Sequence, residues 1–335
     1  MVAEVSNTKW GRHVLKCRPK FASSILFPVK ARLSIWGQKF MTIPKRQIAV
    51  VSHLRPGKVD DAEILGRICY DAFRAISEQH NFPPDFPSAE AATGLMSMLL
   101  SRPDAYSVVA EDEEGRIVGS NFLWEADTVT GVGPITVDVN AQNSSYGKAM
   151  MEDVIRRSDE TGHPSVRLVQ AAFHNRSLSL YTKLGFDTVE PLSNIQGPAL
   201  RLTIEGYNVR LMTEADLDAV DSVAFRVHGH TRHNEVAGAI DQGTAQVVEH
   251  NGRITGYTTG VGFFGHSVGE TNRDLQALIG AAESFAGPGF LLPTRNSELL
   301  RWCFAHGLKI VQPLTLMSRG LYQEPRGAFL PSILY

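Results

Sequence analysis

The sequence predicts an α+β (mixed α/β) fold built as two tandem domains, each a twisted mixed β-sheet flanked by helices. Two observations carry this expectation. From about residue 48 onward, strand-type and helix-type apolar periods succeed one another in a way that puts strands and helices around one mixed sheet. Three landmarks of that succession then recur, in the same order, later in the chain.

The first landmark is Leu54-Arg55 followed by Asp60-Asp61 and an apolar-periodic helix; its counterpart is Val209-Arg210, Glu214, Asp216 and another helix. The second is a strand–Gly–strand unit, Val108-Val109 to Gly115-Arg116-Ile117 and Gly119, which returns as Val247-Val248 to Gly252-Arg253-Ile254 and Gly256. Each version reads as a β-hairpin. The third is Leu184-Gly185-Phe186 before Pro191-Leu192, matched with the same spacing by His306-Gly307-Leu308 before Pro313-Leu314. The join falls near Leu192 to Gly206, where Asn194, Gly197, Pro198 and Gly206 interrupt the pattern. The expected domains are therefore 47–196 and 206–335.

Residues 1–46 stand apart, with ten Lys and Arg (from Lys9 to Arg46) against the single acid Glu4. Such a leader reads as a disordered tail, as a start placed ahead of a true beginning at Met41, or as an organelle transit peptide.

In the first copy a strand over about 48–55 leads to a helix over about 60–77, with Ile64, Ile68 and Phe73 on its apolar stripe. A loop rich in proline (Pro83, Pro84, Pro87) precedes a helix over about 88–100. The hairpin 106–111/116–124 follows, then a strand over about 133–139. A helix over about 145–160 carries Met150/Val154 and Met151/Ile155 four apart. A strand over 166–172, a helix over 175–184 and a last strand complete the copy. The apolar end, Gly327 to Tyr335 with Pro331, is expected to pack against a domain, which makes the chain sensitive to truncation there.

Composition limits the function classes. At 335 residues and 43% hydrophobic content, two cores are affordable. Lys plus Arg (33) nearly balances Asp plus Glu (35), so bulk charge calls for neither nucleic acid nor an anionic membrane. Cys17, Cys69 and Cys303 are scattered and odd in number, which suits a reducing, cytoplasmic setting without a disulfide framework. No apolar run spans a bilayer. His228, His230 and His233 do not make a convergent metal set, and no metal is expected.

Two segments carry chemistry. Val137-Asp138-Val139-Asn140-Ala141-Gln142-Asn143-Ser144-Ser145-Tyr146-Gly147-Lys148 reads as strand, small-polar loop and helix start. Unpaired amides at the positive end of a helix suit a pyrophosphate, and Gly147 permits close backbone approach. Asn175 to Phe186 reads as a helix ended by Gly185, with Tyr181 on the stripe Leu178, Tyr181, Leu184. Alone, either segment has an ordinary structural reading, Tyr181 as a core tyrosine above all.

Together they resemble the GNAT N-acetyltransferase superfamily, whose phosphate loop reads roughly Gln-x-x-Gly-x-Gly and whose later helix carries Asn, Tyr and Gly-Phe. Gln142, Ser145 and Gly147 align with the loop, and Asn175, Tyr181 and Gly185-Phe186 with the helix. The stretches Gly133–Asp138 and Arg167–His174 look like a tandem subgroup of that family. Ser145 stands where the family prefers Gly, which adds a side chain beside the diphosphate. The resemblance implies acetyl-CoA as co-substrate and direct attack by a small-molecule or peptide amine. Asn143, Ser144, Ser145, Tyr146, Gly147 and Lys148 would hold the pyrophosphate, with Gln142 in the same loop. Main-chain groups of Val137 and Val139 would align the pantetheine arm and polarise the thioester. Tyr181 would protonate the departing thiolate, being protonated at neutral pH, and Asn175 would fix the helix start or touch the cofactor. Glu125 is the preferred general base, with Asp127, Asp138 or water as alternatives.

The second copy lacks the loop: Gly265 to Asn272 has no such pattern, and Cys303 falls opposite Tyr181. Its expected role is to shape the acceptor pocket, with Phe263-Phe264-Gly265-His266 as lining or core, or to form a homodimer. A non-catalytic acyl-CoA sensor with the same fold is the alternative function.

Overall fold

The computed structural model describes residues 53–335, so the basic leader and residues 47–52 of the expected first strand lie outside the described residues. The elements of the first half are β1 (His53–Pro56), α1 (Ala62–Gln79), α2 (Ala89–Ser101), β2 (Ala105–Glu111), β3 (Ile117–Trp124), β4 (Val129–Val132), β5 (Thr136–Val137), α3 (Tyr146–Glu160), β6 (Ser165–Ala171), α4 (Asn175–Lys183) and β7 (Asp187–Gln196). The second half has β8 (Tyr207–Leu211), α5 (Leu217–His228), α6 (His233–Asp241), β9 (Gln246–His250), β10 (Arg253–Thr258), β11 (Ser267–Gly269), α7 (Asn272–Ala281), β12 (Phe290–Pro293), α8 (Ser297–Ala305), β13 (Lys309–Gly320) and β14 (Ala328–Leu330). With β4 and β5 counted as one broken strand, the order of the first half runs again in the second, up to β14. The expected strand over 133–139 is that broken strand. Pro134 supplies no N–H for a ladder, and only Thr136–Val137 pairs, with Ser120 and Gly119 of β3.

The sequence repeat has a three-dimensional signature at the start of each half. Arg55 donates through Nη1 and Nη2 to Asp61 (2.8 and 3.0 Å) and through Nε to Glu111 (2.6 Å). Arg210 repeats this with Asp216 (2.8 and 2.7 Å) and Glu249 (2.9 Å). Each Asp also closes the turn that starts the first helix, accepting from the main-chain N–H of Lys58 or Thr213. One forked guanidinium thus fixes strand, hairpin and helix start together.

The halves do not stay separate. Among the described residues the strands form a nine-stranded sheet, ordered β1-β2-β3-β4-β6-β13-β7-β12 with β5 beside β3, and a five-stranded sheet, β14-β11-β10-β9-β8. The last strand of the second half, β13, inserts between β6 and β7 of the first. It pairs antiparallel with both, from Leu314↔Ala171 to Gly320↔Ser165 and from Lys309↔Gln196 to Ser318↔Asp187. Strand β12 then pairs with β7. The described residues lie in one compact unit, and strands from before and after residues 196–206 share the nine-stranded sheet.

Beside this exchange, β4 and β6 run parallel and pair only at one end, through Val129↔Ser165, Thr130↔Val166 and Gly131↔Arg167. Beyond that point they diverge. In the second half the corresponding place beside β11 is taken by β14, through Ser267↔Leu330, Val268↔Phe329 and Gly269↔Ala328. The chain end continues across the first half. Ile333 N–H donates to Phe263 O (2.9 Å), and Tyr335 is buried. Gly131 is required here, because a Cβ on it would run into the Leu334 carbonyl oxygen. The expected packing of the C-terminus is present.

Two outcomes follow from these contacts. The Arg210 guanidinium, first among several causes, holds the Asp216 carboxyl far below the usual carboxylate range, and Arg55 does the same less strongly to Asp61. A depressed folded pKa contributes stability that is complete above about pH 4 and is lost as pH falls through the folded value. Arg210→Ala should cost about 2 kcal/mol at pH 7, and the deficit should shrink below about pH 3, as read by urea denaturation across pH. Deleting residues 328–335 exposes Val268 and the β11 edge and removes buried Phe329 and Leu330. It should lower stability by at least about 3 kcal/mol in the same assay.

Candidate active site

The divergence of β4 and β6 opens a cavity of about 410 Å³. One wall is the broken strand from Val132 to Val137, and the other is Leu168 to Ala171 of β6. At one end lie Gln142, Asn143, Ser144, Gly147 and Lys148, in the loop before α3 and its first turn. Tyr181 and Leu180 of α4 cover the middle. At the other end stand residues of α1, the Pro-rich loop, β13 and the chain end.

The start of α3 is built to receive an anion. Its N-cap, Ser145, makes no side-chain capping bond, and no acid lies in the first turn. The first amides of a helix have no intrahelical acceptor, so this end keeps its positive dipole. A Cβ added at Gly147 would touch only Val137 and Leu180 at 3.7 and 3.9 Å, ordinary contact distances, while the residue lines the cavity. Arg176 reaches across from α4, donating to Asn143 Oδ1 (3.1 Å) and Gln142 Oε1 (2.7 Å). Two cations, Arg176 and Lys148, therefore flank the amide-lined end. These residues fit the diphosphate of acetyl-CoA, and the apolar trough between β4 and β6 fits a pantetheine-like arm.

The second half contrasts at the same position. Thr271 caps α7 by accepting from its N3 amide, while Asp274 Oδ2 accepts from Thr271 N and Oγ1 at 2.8 Å each. That helix start is already satisfied, and it carries an acid where a phosphate would sit. Cys303 of α8 is fully buried in the second core.

Tyr181 is 6% exposed, lines the cavity and packs edge-on to Phe186. Burial pushes its hydroxyl up to about 12, with a hydrogen bond to Ser177 opposing the rise. It is therefore protonated throughout the neutral range. Ser177 Oγ also lies 2.6 Å from His174 Nδ1. Burial, with Arg176 nearby, lowers His174 to about 4, so its ring is neutral at pH 7, and its Nε2 is buried without a partner. His174, Ser177 and Tyr181 form a polar chain along the face of α4.

The structure brings Val137, Gln142, Asn143, Ser144, Gly147, Lys148 and Tyr181 to one cavity. It does not bring five other expected residues there. Glu125 is held by Arg157 in a two-pronged ion pair (2.8 and 2.9 Å) outside the cavity lining. Val139 is exposed, Tyr146 is buried in the core beneath α3, and Ser145 caps that helix beside the cavity instead of lining it. Asn175 is exposed, its carbonyl accepting from Ser179. Of the other base candidates, Asp138 accepts from Asn140 N and Nδ2, and Asp127 accepts from Asn234 N and Glu235 N. Phe263 and Phe264 both line the cavity. Buried His228 and half-buried His230 lie beside each other, and His233 pairs with Asp221. Among the described residues no group of three or more His, Cys, Asp or Glu is placed to hold a metal ion, and no helix is long and apolar enough to cross a membrane.

Sequence reading passed over Asp85, Gln170, Arg176, Ser177 and Gln312, all of which line the cavity. Arg176 and Ser177 lie within the Asn175–Phe186 segment, and Gln170 within Arg167–His174. For Asp85 the only cue was an acid between prolines and Phe86. Gln312 becomes part of the site only through the strand exchange.

Residues 69–186 match the acetyltransferase (GNAT) family model. No curated protein sequence matches the chain. Among solved structures, an assigned acetyltransferase of Pyrococcus horikoshii is similar at 15% identity and a TM-score of 0.62, over 84% of this chain and 92% of that one. A GCN5-related N-acetyltransferase of Sphaerobacter thermophilus is similar at 14% identity and a TM-score of 0.54, over 81% and 96%. Both likenesses extend across the two halves and concern the fold.

Gly147→Val adds volume toward the cavity while meeting little in the protein. It should leave the melting temperature within about 3 °C of the parent and abolish the upward shift given by millimolar CoA, measured by differential scanning fluorimetry.

Proposed function

We propose that the protein is an N-acetyltransferase that passes an acetyl group from acetyl-CoA to an amine by direct attack in a ternary complex. Its site belongs to the first of two tandem GNAT-like copies, and the second copy has lost its own. The observation that carries this reading is a single cavity that joins an uncapped, acid-free helix start to a buried, protonated tyrosine across two diverging strands.

Acetyl-CoA supplies a thioester carbonyl open to attack by an amine. The amides at the start of α3, with Lys148 and Arg176, bind the diphosphate. The walls at Val132–Val137 and Leu168–Ala171 direct the arm toward Tyr181 and exclude water from it. Tyr181 holds its proton at the hydroxyl for delivery to the leaving sulfur. A thiolate in the same desolvated trough is also more basic than in water, which narrows the gap to a phenol near 12. Asn175 and Glu125 enter no step here, because neither lines the cavity.

Tyr181→Phe should lower kcat by about 100-fold and leave the KM for acetyl-CoA nearly unchanged, measured as CoA release with an accepted amine. Full turnover by the variant removes Tyr181 from the chemistry. CoA that gives no thermal stabilisation at millimolar concentration removes the reading altogether.

A further inference from the structure

Part of the cavity wall is apolar, formed by Phe73, Phe86, Phe263, Leu314 and Ile333. Three polar side chains interrupt that wall. Gln312 Nε2 donates to Asp85 Oδ1 at 3.1 Å, while Gln312 Oε1 is buried without a partner. Gln170 is 5% exposed, and neither its amide nitrogen nor its oxygen has a partner. Unpaired polar atoms in such surroundings are costly, and folded proteins rarely keep them without a use. Among the described residues no Lys or Arg pairs with Asp85, and burial, only partly offset by Gln312, raises its carboxyl. A carboxylate without a cation, set among phenylalanines beside two amides with open valences, is the complement of a bound ammonium.

We propose that Asp85, oriented by Gln312, anchors the ammonium of the acceptor, whose proton passes to the Asp85 carboxylate before the neutral nitrogen attacks, and that Gln170 meets a second polar atom of it, so that the acceptor is a primary monoamine with an apolar, aromatic-sized body. This rests on the acetyltransferase reading above for the meaning of "acceptor". The charge pattern selects the class. Among the described lining residues Asp85 is the one acid, so a polyamine would bury its further ammonium groups unpaired. An amino acid would bring a carboxylate as well, and of the basic side chains that line the cavity His174 is neutral. Arg176 is bonded to Gln142 and Asn143 of the α3 loop, and Lys148 to Glu152. Discrimination by unpaired charge is the stronger half of such specificity.

Binding is tested apart from turnover, by calorimetry on the whole protein with saturating CoA. The ligands are the monoamines 2-phenylethylamine, tyramine and tryptamine, the last two of which carry a second polar atom for Gln170, against 2-phenylethanol, phenylalanine and spermidine. At least one monoamine should bind about tenfold or more tighter than the alcohol, the amino acid and the polyamine, a gap of about 1.4 kcal/mol. Asp85→Asn should erase that advantage and Asp85→Glu should keep most of it. The melting temperature of Asp85→Asn should not fall, because the change removes an unpaired desolvated charge; a purely structural Asp85 would make it fall. Equal binding of amine and alcohol by the parent protein overturns the inference, whether or not the variants fold. So does tighter binding of spermidine or phenylalanine, or undiminished amine binding by Asp85→Asn. Amine preference that persists while CoA neither binds nor reacts would instead sink the acetyltransferase reading and leave the ammonium site standing.

Discussion

Everything at this site depends on two neighbouring strands that stop pairing. β4 and β6 share three register pairs, and past Gly131↔Arg167 their facing edges part. Open strand edges are costly inside a protein and invite filling. β6 remains straight because β13 pairs with its other edge along its whole length. On the opposite side Pro134 breaks the strand and Thr136–Val137 turns onto β3. The cleft is held open by hydrogen bonds made elsewhere, and the edges it exposes become the walls for a ligand.

The second half shows the other resolution of the same constraint. There β14 occupies the edge of β11, Asp274 and Thr271 satisfy the helix start, and Cys303 sits in packed core. Each difference removes one requirement for an anionic, extended ligand: the trough, the free amides and the hydroxyl. The second half instead contributes β13, with Gln312, and the chain end with Ile333 and Leu334, to the cavity of the first.

Legibility in the sequence followed the range of the interactions. The element order, the repeat, the α3 loop and Tyr181 were readable because each is written in neighbouring residues: periodicity, Gly and Pro positions, a helix start. Arg55 and Arg210 each pair with an Asp six residues on and with a Glu at the end of the hairpin's first strand. Glu125 shows where that reasoning ends. Its position after a strand suggested a cleft edge, but the guanidinium that claims it belongs to Arg157, on the following helix, and nothing local records that pairing. Asp85 is the converse case, an unremarked acid in a proline-rich loop that acquires meaning from Gln312, which is more than two hundred residues away.

The sequence by itself determined the α+β class, the doubled element order and the two segments that line the cavity. Those depend on backbone conformation and on contacts a few residues apart. Only the tertiary structure decided which half keeps an open cleft and which residues complete it, because a strand edge accepts whichever partner the whole chain brings to it. β13 reaches β6 and β14 reaches β11 by long-range pairing. No spacing in the sequence distinguishes the strand that will brace a cleft from the strand that will close one.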